Sequence, residues 1–270
     1  MPGMLRMRVF AGPNGSGKST MYQQVRTTVV NDRPVDLGVY LNPDEITKKL
    51  KDGAEIDIRK EFGVVPDRAR FVRFAVRSGL LRGPFDLQAL RSAFRLRRSI
   101  LQLLRQDLVD EISQLLTAYL CELLIKHRKK FSFETVFSHP SKLQLMEHAR
   151  ARGYKVYLYF IATNSAEINK DRVITRVLQG GHDVPADRIE KRYELALKQM
   201  LPALNTCYHG FVFDNSGAKP VVFAEVKQLE DARVWSWNLK AIPDWFIRSY
   251  LLPVGNIQLA RRVLEERKAD

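Results

Sequence analysis

The stretch AGPNGSGKST, residues 11–20, fits the spacing G-x-x-x-x-G-K-[ST] through Gly12, Gly17, Lys18 and Ser19. Between a strand and a helix, such a loop curls so that its backbone N–H groups point at phosphates. Gly12, Pro13, Asn14, Gly15, Ser16, Gly17, Lys18, Ser19 and Thr20 are therefore the expected ATP-binding residues. Lys18 would reach the β- and γ-phosphates, and Ser19 would hold Mg²⁺. The loop does not say where the γ-phosphate goes. Guanine reading fails, because Asn169-Lys170 starts an Asn-Lys-x-Asp motif whose fourth position is Arg172. A motor ATPase needs an apolar strand ending in Asp-Glu, and here Phe211-Val212-Phe213-Asp214 is followed by Asn215. That leaves a kinase. Transfer to a hydroxyl needs a carboxylate to take the proton, an acceptor pocket and cations over the transferring group.

Asp44 lies just past the strand-like GVYLN (38–42), at the carboxyl edge where α/β sheets place ligands. It is a candidate base for a substrate hydroxyl. The same position suits a helix N-terminal carboxylate that satisfies orphan N–H groups, and both readings stay open. Glu134 and Thr135 follow KFSF in the same edge position. Arg172, Arg176, His182, Arg188 and Arg192 bracket QGGHDVP, a glycine-broken segment between helices. Hinges flanked by cations describe a closing lid, and equally a solvated basic helix face joined by an ordinary loop.

The elements that must position these groups alternate between strand and helix. LRMRVFAG leads into the loop, and a helix follows from Lys18 to about Val30. Pro43 opens another helix at its first turn, where its missing N–H costs nothing. From Asp86 to Lys129 apolar residues recur at spacings of three and four, with slippage near Leu96–Ile100. KKFSFETVF (129–137) reads as a strand, a helix runs from Ser141 to Arg152, and YKVYLYFIAT (154–163) reads as a buried strand. Helices at Ala166–Leu178 and from Ala186 precede two strands joined at Asn215-Ser216-Gly217. The expected fold is α/β, a parallel sheet with helices on both faces. Residues 1–230 form its domain, about 63–128 a helical insertion within it, and 231–270 a C-terminal extension packed on the same body. Trp235, Trp237 and Trp245 are expected to anchor that extension, and RRVLEERK (261–268) to form a solvated terminal helix.

Composition narrows the classes. No apolar run approaches the roughly 20 residues of a bilayer span. Cys121 and Cys207 match no metal spacing, so a cytoplasmic chain with reduced cysteines and no membrane partner is expected. The formal net charge is +14. It fits a nucleic-acid partner, or a basic surface around anionic ligands. A local cluster, RSAFRLRR, carries Arg91, Arg95, Arg97 and Arg98, and no known nucleic-acid-binding pattern accompanies it, so a basic surface around anionic ligands is the expected reading and a nucleic-acid partner is not.

AGPNGSGKST, YLNPDEI, SFETVFSHPSK, GYKVYLYFIAT, RVLQGGHDVP with IEKRY, and VFDNSG occur in that order. This ordered set resembles the zeta-toxin kinase family over roughly residues 5–217. The resemblance implies ATP- and Mg²⁺-dependent phosphoryl transfer on an adenylate-kinase-like P-loop core. It implies a small nucleotide-type acceptor, UDP-N-acetylglucosamine in the best-known members and NAD in others, with an antitoxin protein as a partner. It assigns Asp44 as general base, Lys18 and Ser19 to phosphates and metal, Glu134, Thr135 and His139 to the acceptor, and Arg176 to the helix before the lid. His182 stands near the family's second lid arginine, which makes Arg192 of IEKRY the substitute. Two other classes stay open: a nucleic-acid end kinase, and a nucleotide-bound interaction protein without turnover.

Overall fold

The computed structural model describes residues 4–181, 183–230 and 232–268. Its central sheet is mixed and mostly parallel, with seven strands: β1 (Arg6–Ala11), β2 (Val39–Leu41), β3 (Phe131–Thr135), β4 (Lys155–Ala162), β5 (His209–Asp214), β6 (Val221–Leu229) and β7 (Ala232–Trp237). They lie in the order β7-β6-β5-β4-β1-β3-β2. β1 and β5 both run parallel to β4, whereas β5–β6 and β6–β7 are antiparallel. Strands covered on both faces read as continuous apolar runs. β4, KVYLYFIA, is such a run, and from Leu158 to Ala162 it is buried without interruption.

The chain divides into two compact units, Met1–Asp36 with Phe133–Asp270, and Leu37–Ser132. In the first, helices Lys18–Thr27, Ser141–Ala151, Ala166–Leu178 and Ala186–Thr206 connect the parallel strands. The β5–β6 hairpin matches the expected pair joined near Asn215-Ser216-Gly217. The tail opens as a strand before it turns helical, a feature the sequence reading lacked. Trp235 and Trp237 both point to one face of β7 and stack with ring centroids 4.6 Å apart. Trp245 is buried and meets Phe223 edge-on. The terminal helix, Ile257–Lys268, is not solvated all round: Leu259, Ala260 and Val263 form a buried stripe.

The second unit holds helices Pro43–Lys51, Ile58–Phe62, Arg68–Arg77, Leu87–Ala93 and Val109–Lys126. Its helical pattern breaks where the spacing slips. Phe94–Arg97 and Ile100–Leu103 form an antiparallel hairpin, which pairs with Ile56–Asp57. The reason is a change of period from 3.6 to 2: Phe94 is buried, Arg95 exposed, Leu96 half-buried and Arg97 exposed. Arg98 makes the turn at φ 53°, and Ser99 Oγ donates to Asp57 Oδ1 at 2.8 Å.

Candidate functional site

The phosphate loop is shaped by its neighbours. Gly12, Gly15 and Gly17 have φ of 148°, 75° and 94°, a region that favours glycine. A Cβ on Gly12 would lie 1.9 Å from the Ile161 carbonyl oxygen, and one on Gly15 would lie 2.5 Å from that of Asn169. Asn169, half of the guanine-motif mimic, is thus a fully buried support beneath the loop; its Oδ1 accepts from Thr163 Oγ1 at 2.8 Å. Gly12 N donates to Thr135 O at 3.3 Å, which ties the loop to the end of β3. Gly17 caps helix Lys18–Thr27, so the helix N-terminus faces the loop interior, the usual seat for phosphate. Lys18 Nζ donates to Pro13 O at 2.8 Å, across the curl. The Ser16 hydroxyl is buried without a hydrogen-bond partner.

Glu134 meets Ser19. Ser19 Oγ donates to Glu134 Oε2 at 2.8 Å, and Glu134 is only 4% exposed. A hydroxyl and a carboxylate converging at the start of a P-loop helix are hard oxygen donors, the chemistry that Mg²⁺ prefers. The sequence reading gave the metal Ser19 alone and set Glu134 at the acceptor. The structure brings that carboxylate to Ser19 from β3, which lies next to β1 in the sheet. Beyond it, Thr135 Oγ1 accepts from Phe137 N at 3.1 Å, and Phe137, almost fully buried, sits at φ 59°. A left-handed aromatic residue costs about 1–2 kcal/mol. His139 is exposed, and its Nδ1 accepts from Ser141 N at 3.2 Å at the start of the next helix.

Two residues that the sequence reading passed over hold the loop from the far side. Asn215 Nδ2 donates to Ser16 O at 2.8 Å and lies 2.4 Å from where a Gly17 Cβ would be. Its own backbone N–H donates to Ala162 O at 2.8 Å. The preceding residue, Asp214, accepts from the Trp245 indole N–H and from Ser216 Oγ, both at 2.8 Å. The tail therefore reaches the loop through Trp245, Asp214 and Asn215. A clue was available in the sequence, because Asp214 and Asn215 end a strand of the same parallel set.

Arg192 Nη1 donates to Asn14 Oδ1 at 3.4 Å, so it stands beside the loop. Its neighbour Tyr193 donates to Thr163 O at 2.6 Å, and burial pushes its phenol up to about 12. Arg176 is half-buried near the end of its helix. There Gly181 N returns to Arg176 O at 2.9 Å, and Gly180 adopts φ 81°. Val184 closes the segment against Val173 and Ile189. His182 lies outside the described residues.

Asp44 belongs to the other unit. Its helix is capped by Asn42, whose Oδ1 accepts from Asp44 N at 2.9 Å. The Asp44 side chain is exposed and is not the capping group. On the adjoining face, Tyr40, Asn42, Glu45, Ile46, Lys49, Glu61 and Phe62 line a groove of about 260 Å³. Lys49 and Glu61 pair across it at 2.7 Å.

Residues 86–219 match a known family. That family is the zeta toxins. The resemblance carried by the ordered motifs is thereby shown, over SFETVFSHPSK, RVLQGGHDVP and VFDNSG. The match begins after Lys18 and Asp44, so the nucleotide half of the zeta-toxin reading rests on geometry. An uncharacterized protein of Haemophilus influenzae is 38% identical over 69 residues, which are 26% of this chain and 49% of that protein. Among solved structures, the AvrRxo1-ORF1:AvrRxo1-ORF2 complex with sulphate ions has a TM-score of 0.51 at 13% identity, covering 86% of this chain and 62% of that one. The same complex with ATP has a TM-score of 0.50 at 12% identity, covering 85% and 62%. This chain thus spans about half of the curated relative and less than two thirds of the AvrRxo1-ORF1:AvrRxo1-ORF2 chain it matches. At such identities the likeness is one of fold. No helix among the described residues is long and apolar enough to cross a membrane.

Proposed function

We propose that this zeta-toxin-type chain is an ATP- and Mg²⁺-dependent kinase that moves the γ-phosphoryl group to a hydroxyl of a small nucleotide-type acceptor. The observation that carries the reading is the pairing of Ser19 with Glu134 at 2.8 Å at the mouth of a P-loop braced on three sides. The AvrRxo1-ORF1:AvrRxo1-ORF2 structure with ATP, on a similar fold, supports ATP as the donor. The loop N–H groups and Lys18 bind the β- and γ-phosphates. Ser19 and Glu134 would hold Mg²⁺, which when bound screens the phosphate charge.

Asp44 accepts the hydroxyl proton as the acceptor oxygen attacks in line. Arg176 and Arg192 face the charge that develops on the transferring group, a role for which guanidinium is suited. Thr135, and His139 beyond it, border the acceptor, and the groove beside Asp44 is a candidate seat for the non-reacting part of that acceptor. UDP-N-acetylglucosamine is the first acceptor to test. On this reading the chain acts in the cytoplasm as a zeta-type toxin, with an antitoxin protein as its partner.

The experiment is to incubate the protein with ATP, Mg²⁺ and a metabolite extract, then search by mass spectrometry for metabolites that gain one phosphate. A UDP-N-acetylglucosamine arm runs in parallel. A product that forms only with ATP supports the kinase. ATP hydrolysis without any phosphorylated metabolite, or binding without turnover, overturns it.

A further inference from the structure

Residues 68–105 contain ten arginines, no lysine, no glutamate and a single aspartate, Asp86. Elsewhere the chain uses arginine and lysine equally, seventeen of each. The segment therefore carries nine of the fourteen net positive charges in 38 residues. All ten guanidinium-bearing residues, Arg68 to Arg105, are exposed. Among the described residues the one ion pair of the segment is Arg105 with Asp107, at 2.5 Å. Asp86 is occupied in capping its own helix, accepting from Ala89 N at 2.7 Å.

The fold places seven of these arginines on two elements that pack together, with Arg91 on helix Leu87–Ala93 just before the hairpin and Arg82 and Arg105 in connecting segments. On helix Arg68–Arg77, Arg70, Arg73 and Arg77 fall on one stripe away from buried Phe71 and Ala75. On the hairpin, Arg95 and Arg97 share the exposed face of strand Phe94–Arg97, and Arg98 stands in the turn. That strand is one of the two edges of its three-stranded sheet. Phe71 meets Phe94 edge-on at 4.9 Å, and the Arg68 guanidinium lies 5.5 Å over the Phe94 ring. So the helix and the hairpin edge adjoin, and both expose arginine.

We propose that this arginine surface is a docking face for the phosphate backbone of a nucleic acid. Three features favour that partner. Arginine without lysine is the choice where planar, bidentate recognition of phosphate matters. A net excess of nine charges with a single interspersed carboxylate, Asp86, gives the counterion release that drives such binding. Phe71, Phe85 and Phe94 are buried and Phe74 is half-buried against Tyr119, so the face has no fully exposed aromatic of the kind that anchors protein–protein interfaces. Binding of this kind reads no base sequence. It is separate from the acceptor chemistry and does not depend on it.

The test uses the full chain and a fluorescein-labelled 20-nucleotide single-stranded RNA, followed by fluorescence anisotropy across a salt series. Two variants each lose four charges. One replaces Arg91, Arg95, Arg97 and Arg98 by Gln; the control replaces Lys198, Lys219, Arg261 and Arg262 by Gln. All eight residues are exposed, and thermal melts establish that both variants fold. The arginine variant is expected to bind at least about tenfold more weakly at 0.15 M salt. The slope of log K against log[salt] should shrink by about 3, at ~0.7 per phosphate contact on a single strand. The control should change less than about threefold. Equal losses in the two variants, or no loss in either, overturn the proposal. So does displacement of the RNA by polyglutamate as effectively as by unlabelled RNA, which would assign the face to an acidic protein.

Discussion

Two glycine-bearing segments entered the sequence reading, one as a phosphate loop and the other as either a closing lid or an ordinary connection, and the structure holds them in different ways. In the phosphate loop, an added Cβ on Gly12, Gly15 or Gly17 would meet Ile161 O, Asn169 O or Asn215 Nδ2 within 2.5 Å. Each obstacle comes from a different element. In the segment after helix Ala166–Leu178, Gly180 has φ 81° and nothing within 4 Å of its would-be Cβ. Gly181 there meets only Arg176. The first loop has its shape imposed by tertiary packing, and so its N–H groups are preorganised for charge. The second is shaped by local hydrogen bonds from Gly180 and Gly181 back to Val177 and Arg176, and by Val184 at its far end.

The largest effects are expected on the imposed side. Lys18→Ala should abolish transfer, by at least about 10³-fold, the scale on which a single cation acts on a transferring phosphoryl group. Its melting temperature should stay near that of the wild type. Gly12→Ala should instead lower stability by about 3 kcal/mol, because the clash is with backbone that has no room to move. Urea unfolding measures the second effect and product formation the first. A folded Lys18→Ala protein with wild-type turnover would remove the kinase reading altogether.

Asp44 belongs to neither segment and sharpens the contrast. As a base, Asp44→Asn should cost ~10²–10⁴-fold in turnover with ATP affinity unchanged. Since Asn42 is the helix cap, the substitution should leave stability within about 0.5 kcal/mol. Isothermal titration with an ATP analogue, alongside initial rates, separates the two readouts. An Asp44→Asn enzyme with normal kcat retires the base.

The comparison also explains what the sequence could and could not reveal. The P-loop and the strands behind it were legible because one short motif and continuous apolar runs encode them locally. The 94–103 hairpin was hidden inside a helical count, since a four-residue strand with alternating Phe, Arg, Leu and Arg supplies too few residues to announce a new period. Glu134 was recognised as a site residue, but it lies 115 residues from Ser19 in sequence, and their meeting depends on β3 lying beside β1. Strand order is a tertiary outcome that no local pattern carries. The same holds for the link from Trp245 through Asp214 to Asn215, which ties the tail beyond the family match to the loop's own peptide.

That link sets the next prediction. Asn215→Ala removes a hydrogen bond to Ser16 O worth about 1 kcal/mol, so the KM for ATP should rise about fivefold with the acceptor KM unchanged. Trp245→Phe keeps an aromatic ring but loses the indole's second ring and the donor to Asp214, and a two- to threefold rise in the same constant is expected at about 2 kcal/mol of stability. A purely structural tail would lower stability while leaving the ratio of the two Michaelis constants where it was. Should both constants move together, the tail does not position the loop.

The second segment sets its own two glycines against each other, and the smallest effect of all belongs to Gly180. Gly180→Ala meets no atom, and only the left-handed backbone resists it, at about 1 kcal/mol. Part of that is offset by the reduced freedom of the unfolded chain. The melting temperature should fall by no more than about 3 °C, and turnover should stay within about twofold. Gly181→Ala carries no positive φ, but its Cβ would lie 2.6 Å from Arg176 Cγ and 2.9 Å from Arg176 O, so the Arg176 side chain and the backbone it sits on must both give. If Arg176 faces the transferring phosphoryl group, turnover should drop about tenfold, because small misplacements of a charge-stabilising group are costly. The overlap with backbone should add a stability loss of about 1–2 kcal/mol. Paired melts and initial rates on the two variants decide it. Equal behaviour of both would mean that Arg176 is not held in place for the chemistry, and the segment would then be a connector between helices instead of a lid.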